Sequence, residues 1–391
     1  MPPKANPKNQ NEEIPEEATQ TLAEFNQTLS NFLYDAWFLR SQESPLYLLF
    51  NHIYSTECTT LYYPGQPRIS IGVCPQPLFG TPGPVATREN SKLTKKNDKS
   101  LPPHQRPDSA RFLLYSDRGN DAKLPKGITS ARVLICFHEN KTLNIPDAWW
   151  TAEARQAADA KIAANLPQVY DTVMAAFAHH PDWKRVHAVL LIGPFFTHLA
   201  WNSRPTDQQL APVQPNPLPK DPKKAKGKAY KIIIDKLLQE ISQYKDRRLP
   251  DEIYYYNQPV VEYHDLQEGE EYQDVRLSPQ FLWTLASPVT KYYPQIKQRS
   301  SMFAPPSVKP RISVGQAVAW EAVKQAIITK PIKDVNSKLR FLGHGPGSES
   351  TPTPPASKGD CYKPSGSTKP ALSQPPMKTR ARKEGELPGI E

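Results

Sequence analysis

The chain has 391 residues, including 43 prolines and 17 glycines, and its 49 lysine and arginine residues against 39 aspartate and glutamate residues give a net charge of +10. Only 38% of residues are hydrophobic, so we expect a packed core joined by long loops. No apolar run reaches the roughly 18 residues of a membrane span, and the polar N-terminus does not resemble a secretory signal. These features predict a soluble intracellular protein with no membrane partner.

Two helices open the predicted fold. Apolar residues recur at steps of three and four between Thr19 and Ser41, which is typical of an amphipathic helix. A second helix is predicted from Ser44 through LYLLFNHIYSTE, because Ser44 can cap it and Pro45 suits the first helical position.

Strands and then helices follow. Three runs have the length and composition of strands: RISIGVC (68–74), ARFLLYS (110–116) and ARVLICFH (131–138). Between the first and second lies a proline- and lysine-rich loop of about 30 residues. Helical sequence covers 151–164 and, with Pro167 near its start, 165–179. The apolar run 186–201 predicts a buried strand or a pair of strands.

The second half of the chain is predicted to be less regular. Helical spacing recurs at 232–244 and 314–329, and strand-rich sequence lies between them. The predicted organisation is a disordered N-terminus at 1–17, a core at 18–204 with a long loop at 75–105, a basic linker at 205–230, an α+β extension at 231–342 and a disordered basic tail at 343–391.

Charged residues stand at the ends of two predicted strands. Asp108 follows Pro107 just before the strand ARFLLYS, and Glu139 and Lys141 follow ARVLICFH. Residues two apart on an extended chain point to the same face, so Glu139 and Lys141 should lie together. If the two strands are neighbours, Asp108 and Glu139 can approach one divalent cation, while the lysine contacts a phosphate or the attacking water.

Other matches to these short patterns exist. Asp or Glu two residues before Lys occurs five times and Pro-Asp four times, but only Asp108 followed by Glu139 places both beside strand-like runs. Asp117 is an alternative first acid if the strand register differs. In the simplest structural interpretation, Asp108 starts a loop, and Glu139 and Lys141 are ordinary solvated charges at a strand end.

The order Pro-Asp on one strand, Glu-x-Lys closing the next, then a helix and a strand resembles the PD-(D/E)xK nuclease superfamily over roughly residues 44–201. The resemblance implies a restriction-endonuclease-like α/β (α+β) core with a central mixed sheet flanked by helices. It also implies that Asp108 and Glu139 bind Mg²⁺ (or Mn²⁺) and that Lys141 positions or activates the hydrolytic water. A further acid on the first helix and a glutamine after the lysine are matched by Glu57 and Gln168.

Basic clusters indicate an anionic partner, DNA or RNA. They occupy 92–99, 220–231 and 378–383, and the candidate nucleic-acid-binding residues within them are Lys95, Lys96, Lys223, Lys224, Lys226 and Lys228. Such clusters neutralise phosphates without reading sequence. PKKAKGK and KTRARK could equally be nuclear-import signals, or the clusters could be solubilising linkers.

Three further residues have two interpretations each. Trp149 and Trp150 can stack a base or fill a core, and His138 can pack or take part in catalysis, with packing favoured because it should face away from Glu139. The leading functional prediction is Mg²⁺-dependent phosphodiester hydrolysis of nucleic acid, by a nuclease or by a degenerate descendant that keeps the fold. The alternative is a non-catalytic protein that binds nucleic acid, or another partner, through its basic loops.

Overall fold

The computed structural model describes residues 20–65, 69–79, 106–115, 131–213, 215–216, 218, 227–263, 275–311 and 315–344. They form an α+β fold with a six-stranded mixed sheet flanked by helices, which confirms the predicted fold class at this level. The predicted N-terminal segment 1–17, nearly all of the loop at 75–105 and the tail beyond residue 344 lie outside the described residues.

The helices and strands are as follows. The helices are α1 Leu22–Phe38, α2 Ser44–Thr60, α3 Ala152–His179, α4 Asp207–Leu210, α5 Lys228–Lys245, α6 Pro279–Thr290, α7 Gln316–Lys324 and α8 Lys330–Phe341. A 3-10 turn spans Ser301–Phe303, and a π-helical turn, Gln325–Thr329, joins α7 to α8. The strands are β1 Leu61–Tyr62, β2 Ile69–Pro75, β3 Ser109–Tyr115, β4 Ala131–Lys141, β5 Val186–Ile192, β6 Phe195–Trp201, β7 Glu252–Pro259, β8 Val261–Tyr263, β9 Val275–Leu277 and β10 Lys297–Gln298.

The central sheet has the order β2-β3-β4-β5-β6-β7. Strands β2, β3 and β4 form an antiparallel meander, and β5 runs parallel to β4. The connection between those two parallel strands contains α3, which packs on β5. Strands β6 and β7 continue the sheet antiparallel. Because β7 belongs to the predicted extension, the sheet crosses the predicted boundary between core and extension.

Helix α3 is one continuous helix of 28 residues, whereas the sequence predicted two pieces. Pro167 lies inside it and cannot donate a backbone hydrogen bond to the preceding turn. The apolar side chains of Ile162, Leu166, Val169 and Val173 on both sides of the proline are buried. Burial of this continuous stripe outweighs the lost hydrogen bond, so tertiary packing keeps the helix intact.

Strand β4 extends through Lys141, three residues beyond the predicted end. Its last residues pair with β5 in the register Glu139↔Leu190, Asn140↔Leu191 and Lys141↔Ile192. The polar residues therefore belong to a central strand of the sheet and not to a loop. A strand in this position holds its side chains more rigidly than a loop does, which fixes their direction.

The turn between β5 and β6 requires glycine at position 193. Gly193 has a φ of +54°, and a Cβ there would lie 2.8 Å from the Cβ of Leu143. We expect Gly193→Ala to lower the free energy of unfolding by about 2–4 kcal/mol, from backbone strain plus the clash. Gly65 is the matched control, because it has a φ of +71° with nothing within 4 Å of an added Cβ.

Gly65→Ala should therefore cost only the strain, about 1 kcal/mol. Urea unfolding of the two variants and the parent protein measures the difference. Equal destabilisation by both substitutions would contradict the inferred clash with Leu143.

Candidate active site

The pairing of β3 with β4 places Asp108 beside Glu139. Ser109 pairs with His138 in antiparallel register, so the next residues outward are Asp108 and Glu139. The backbone N–H of Asn140 donates to Asp108 Oδ2 at 2.6 Å. This contact fixes the Asp108 carboxylate at the end of β4.

Glu139 is the most enclosed acid of the site, with 2% of its surface exposed. Its Oε1 accepts hydrogen bonds from Lys141 Nζ at 2.7 Å and from Gln168 Nε2 at 2.5 Å. Its Oε2 is buried and has no hydrogen-bond partner among the described residues. A buried carboxylate oxygen without a partner is costly, and a bound cation would remove that cost.

Burial raises the pKa of both carboxyl groups above the ordinary value. For Glu139, the charge of Asp108 adds to the effect of burial, while the hydrogen bond from Lys141 opposes it. For Asp108, burial is opposed by the Asn140 N–H and by the charge of Lys141. The two carboxylates therefore repel each other in a partly desolvated site, and a divalent cation would relieve this repulsion.

Lys141 keeps its positive charge. Burial lowers its pKa, but the hydrogen bond and charge of Glu139 together with the charge of Asp108 outweigh burial, so the pKa is raised overall. Its side chain is 20% exposed, so Lys141 is less enclosed than Glu139. A permanently charged ammonium orients an anion or a water molecule and does not serve as a general base at neutral pH.

Two residues of the site were not found from the sequence, Glu43 and Tyr47. The hydroxyl of Tyr47 lies 2.9 Å from Glu43 Oε2 and 3.0 Å from Asp108 Oδ1. Burial, with both carboxylates, raises the pKa of Tyr47 above its ordinary value, so the hydroxyl remains a donor. The sequence feature that could have indicated them is their spacing of four residues at the start of α2, which puts Glu43 and Tyr47 on one side of the helix.

Glu57 was expected as a further metal ligand, and the structure places it elsewhere. It lies ten residues beyond Tyr47 on α2, which corresponds to about 15 Å along the helix axis. Its carboxylate pairs with Arg111 at 2.9 Å, and the two side chains are 2% and 0% exposed. Glu57 therefore balances a buried arginine, and the acid of α2 that approaches Asp108 is Glu43.

Only some of the remaining predicted residues lie in the part of the chain that the structure describes. Of the candidate nucleic-acid-binding lysines, Lys228 is exposed at the start of α5. Outside the described residues lie Lys95, Lys96, Lys223, Lys224, Lys226 and the alternative acid Asp117. His138 is buried; its ring stacks on Tyr54 with centroids 3.8 Å apart, and its Nδ1 lies 3.2 Å from Ser109 Oγ.

The donor set suits a hard cation held by few protein ligands. No group of three or more His, Cys, Asp or Glu side chains able to hold a metal ion occurs in the described part of the chain. Mg²⁺ commonly binds through one or two carboxylates and completes its shell with water and substrate phosphate. Asp108 and Glu139, with the unpartnered Glu139 Oε2, fit that mode of binding.

The chain matches no protein-family model, no curated protein and no solved structure. Among the described helices, none is both long enough and apolar enough to cross a bilayer. What the protein does must therefore be inferred from the chemistry of Asp108, Glu139, Lys141 and Gln168.

Proposed function

We propose that the chain hydrolyses phosphodiester bonds in nucleic acid with Mg²⁺ or Mn²⁺, as an enzyme of the PD-(D/E)xK type. The observation that carries the proposal is the environment of Glu139. This buried carboxylate lies beside Asp108, contacts Lys141 and Gln168 through one oxygen, and leaves its other oxygen without a partner. Two carboxylates can hold a divalent metal ion, and the neighbouring Lys141 ammonium can contact a phosphate or the attacking water.

The topology supports a restriction-endonuclease-like core. Helix α2 precedes an antiparallel meander of β2, β3 and β4, and α3 then leads to β5, which is parallel to β4. Asp108 stands at the start of β3, and Glu139 and Lys141 close β4. Gln168, on the helix after the lysine, donates to Glu139. This order of elements and residues agrees with what the sequence resemblance implies.

The acidic and the basic residues of the site would have different roles. Asp108 and Glu139 would hold the metal ion, which when bound lowers the pKa of a coordinated water and neutralises charge on the phosphate. Lys141 would bind a phosphate oxygen or orient the attacking water. Gln168 restrains the Glu139 side chain, and Tyr47 restrains Asp108, so both acids are oriented before substrate binds.

Incubation of the full chain with supercoiled plasmid, single-stranded DNA and RNA tests the proposal. We expect cleavage with Mg²⁺ or Mn²⁺ and none with EDTA. If no substrate is cut with either metal, while nucleic acid still binds with a steep dependence on salt, the non-catalytic alternative replaces this proposal.

Removing the Tyr47 hydroxyl should shift the pH dependence of cleavage. The hydrogen bond from Tyr47 lowers the pKa of Asp108, so Tyr47→Phe should raise that pKa. Since metal binding requires the ionised carboxylate, the acidic limb of the kcat/KM profile should move to higher pH, with activity close to the parent value at high pH. Profiles of the two proteins measure the shift; an unchanged acidic limb, with unchanged stability in urea, would contradict the role given to Tyr47.

A further inference from the structure

Trp150 is exposed beside a buried neighbour. Trp149 is 2% exposed and donates through Nε1 to the carbonyl oxygen of Leu143. Trp150 is 60% exposed, and its ring meets Tyr263 with centroids 5.3 Å apart and planes inclined by 60°. The larger part of the Trp150 side chain is therefore open to solvent, while its ring is in contact with Tyr263.

Two cavities share this aromatic wall. Their volumes are about 670 and about 610 Å³, and Trp149, Trp150 and Tyr263 line both of them. The first also contacts Arg155 near the start of α3, and the second contacts Trp37 on α1. Volumes of this size accommodate small planar ligands.

The aromatic wall is linked to the candidate active site through β4. The carbonyl oxygen of Lys141 accepts the N–H of Gly193 at 2.9 Å, and a Cβ on Gly193 would lie 3.6 Å from the ring of Trp149. The wall therefore packs against the turn that closes on the end of β4, where Glu139 and Lys141 lie.

The charged side chains that line the two cavities favour binding of an uncharged group over binding of a phosphate. Asp35 lines one cavity and Glu262 the other, and the cation Arg155 donates to the carbonyl oxygen of Asn257 at 3.0 Å. Carboxylates repel phosphate, whereas an aromatic ring attracts the flat, uncharged face of a nucleobase. The chain carries a net charge of +10, which is complementary to the negative charge of nucleic acid. Nucleic acid is therefore the source of the base that we infer.

We propose that Trp150 stacks an unpaired nucleobase of the strand whose phosphodiester is held at Asp108 and Glu139. This inference rests on the proposed function and specifies its substrate class as single-stranded or locally unpaired nucleic acid. A base inside a duplex has both faces stacked on its neighbours and offers only its edges, so a blunt duplex can present no more than its two terminal base pairs to Trp150.

Fluorescence anisotropy in EDTA separates binding from cleavage. The probes are a labelled oligothymidylate of about 20 nucleotides and a blunt duplex of the same length. We expect Trp150→Ala to weaken binding of the single strand by about 5- to 150-fold, the range for one stacked base, and to change duplex binding far less. Trp150→Phe should restore most of the affinity because it keeps a ring.

Trp320 provides the matched control. It is a tryptophan on α7 with 37% of its surface exposed, so Trp320→Ala removes a similar side chain away from both cavities. It should bind both probes like the parent protein. Trp150→Ala should also leave the slope of affinity against salt unchanged, because stacking neutralises no phosphate and releases no counterions.

The outcomes distinguish this inference from the function on which it rests. Equal single-strand affinity of parent and Trp150→Ala would overturn the stacking role, even if metal-dependent cleavage is found. The expected loss without cleavage by the parent would support stacking and refute the nuclease. A lower sedimentation mass of Trp150→Ala, with binding unchanged, would show that the surface joins two copies of the chain and would overturn the inference.

Discussion

Glu139→Gln is expected to abolish metal-dependent cleavage, with a loss of at least about 100- to 1000-fold, the effect of removing one charge-stabilising group from a transition state. Glutamine keeps the size of the side chain and removes the negative charge that would hold the cation. Affinity for nucleic acid in EDTA should stay the same or rise, because one source of phosphate repulsion is removed. The site therefore predicts opposite effects on catalysis and on binding, which loss of folding would not produce.

Asp108→Asn should behave in the same way, since its carboxylate lies beside Glu139 and contributes to the same negative charge.

Lys141→Ala should also abolish cleavage, with only a modest loss of affinity, because one lysine is a small share of the phosphate contacts. Plasmid nicking with Mg²⁺, Mn²⁺ or EDTA measures catalysis, and anisotropy in EDTA measures binding.

The chain contains a matched control for these substitutions. Pro181-Asp182-Trp183-Lys184 repeats both short patterns, Pro-Asp and Asp-x-Lys, and Asp182 and Lys184 are exposed. Asp182→Asn should cut like the parent protein. Cleavage that survives in Glu139→Gln, or is lost in Asp182→Asn, would show that the active site lies elsewhere even if the protein is a nuclease.

Breaking the buried pair between Glu57 and Arg111 is expected to destabilise the protein by about 3–5 kcal/mol. Glu57→Leu would leave the guanidinium of Arg111 buried at 0% exposure with the carbonyl oxygen of Leu285 as a remaining acceptor. Arg111→Met would leave the Glu57 carboxylate without its counter-charge. Urea unfolding measures each loss.

Replacing both partners together should recover most of the stability, because neither charge is then left alone in the core. Glu57→Leu combined with Arg111→Met should therefore unfold close to the parent protein. This double variant also tests the role of Glu57. If the acid only balances Arg111, cleavage is retained; a folded double variant without cleavage would show that Glu57 takes part in catalysis.

Local sequence patterns were sufficient for the main secondary structure. The apolar spacing between Thr19 and Ser41 predicted α1, and the three apolar runs predicted β2, β3 and β4 to within three residues. Helix α1 buries Phe25, Leu29 and Leu33 of its pattern, although Leu22 at its start is exposed, and periodicity is a property of the sequence alone. The central mixed sheet flanked by helices was expected from the family resemblance, to which the order of strand and helix sequence contributed.

The placement of Asp108, Glu139 and Lys141 was also largely accessible from the sequence. Each residue lies at a strand end, and a residue's place on a strand needs no tertiary information. The prediction assumed that the two strands are neighbours. In the structure β3 and β4 pair, with Ser109 opposite His138. Gln168 came from the resemblance alone; the structure brings it to Glu139.

Only the tertiary structure decided which acid of α2 approaches the site. Glu43 and Glu57 stand at opposite ends of the helix, and periodicity assigns residues to a face but does not say which end meets Asp108. The sequence likewise does not reveal that Arg111 is buried and requires a counter-charge, because its burial depends on which elements pack around β3. Continuity of α3 through Pro167 has the same origin: the free energy of burial comes from contacts distant in sequence, and here it exceeds the local preference against proline.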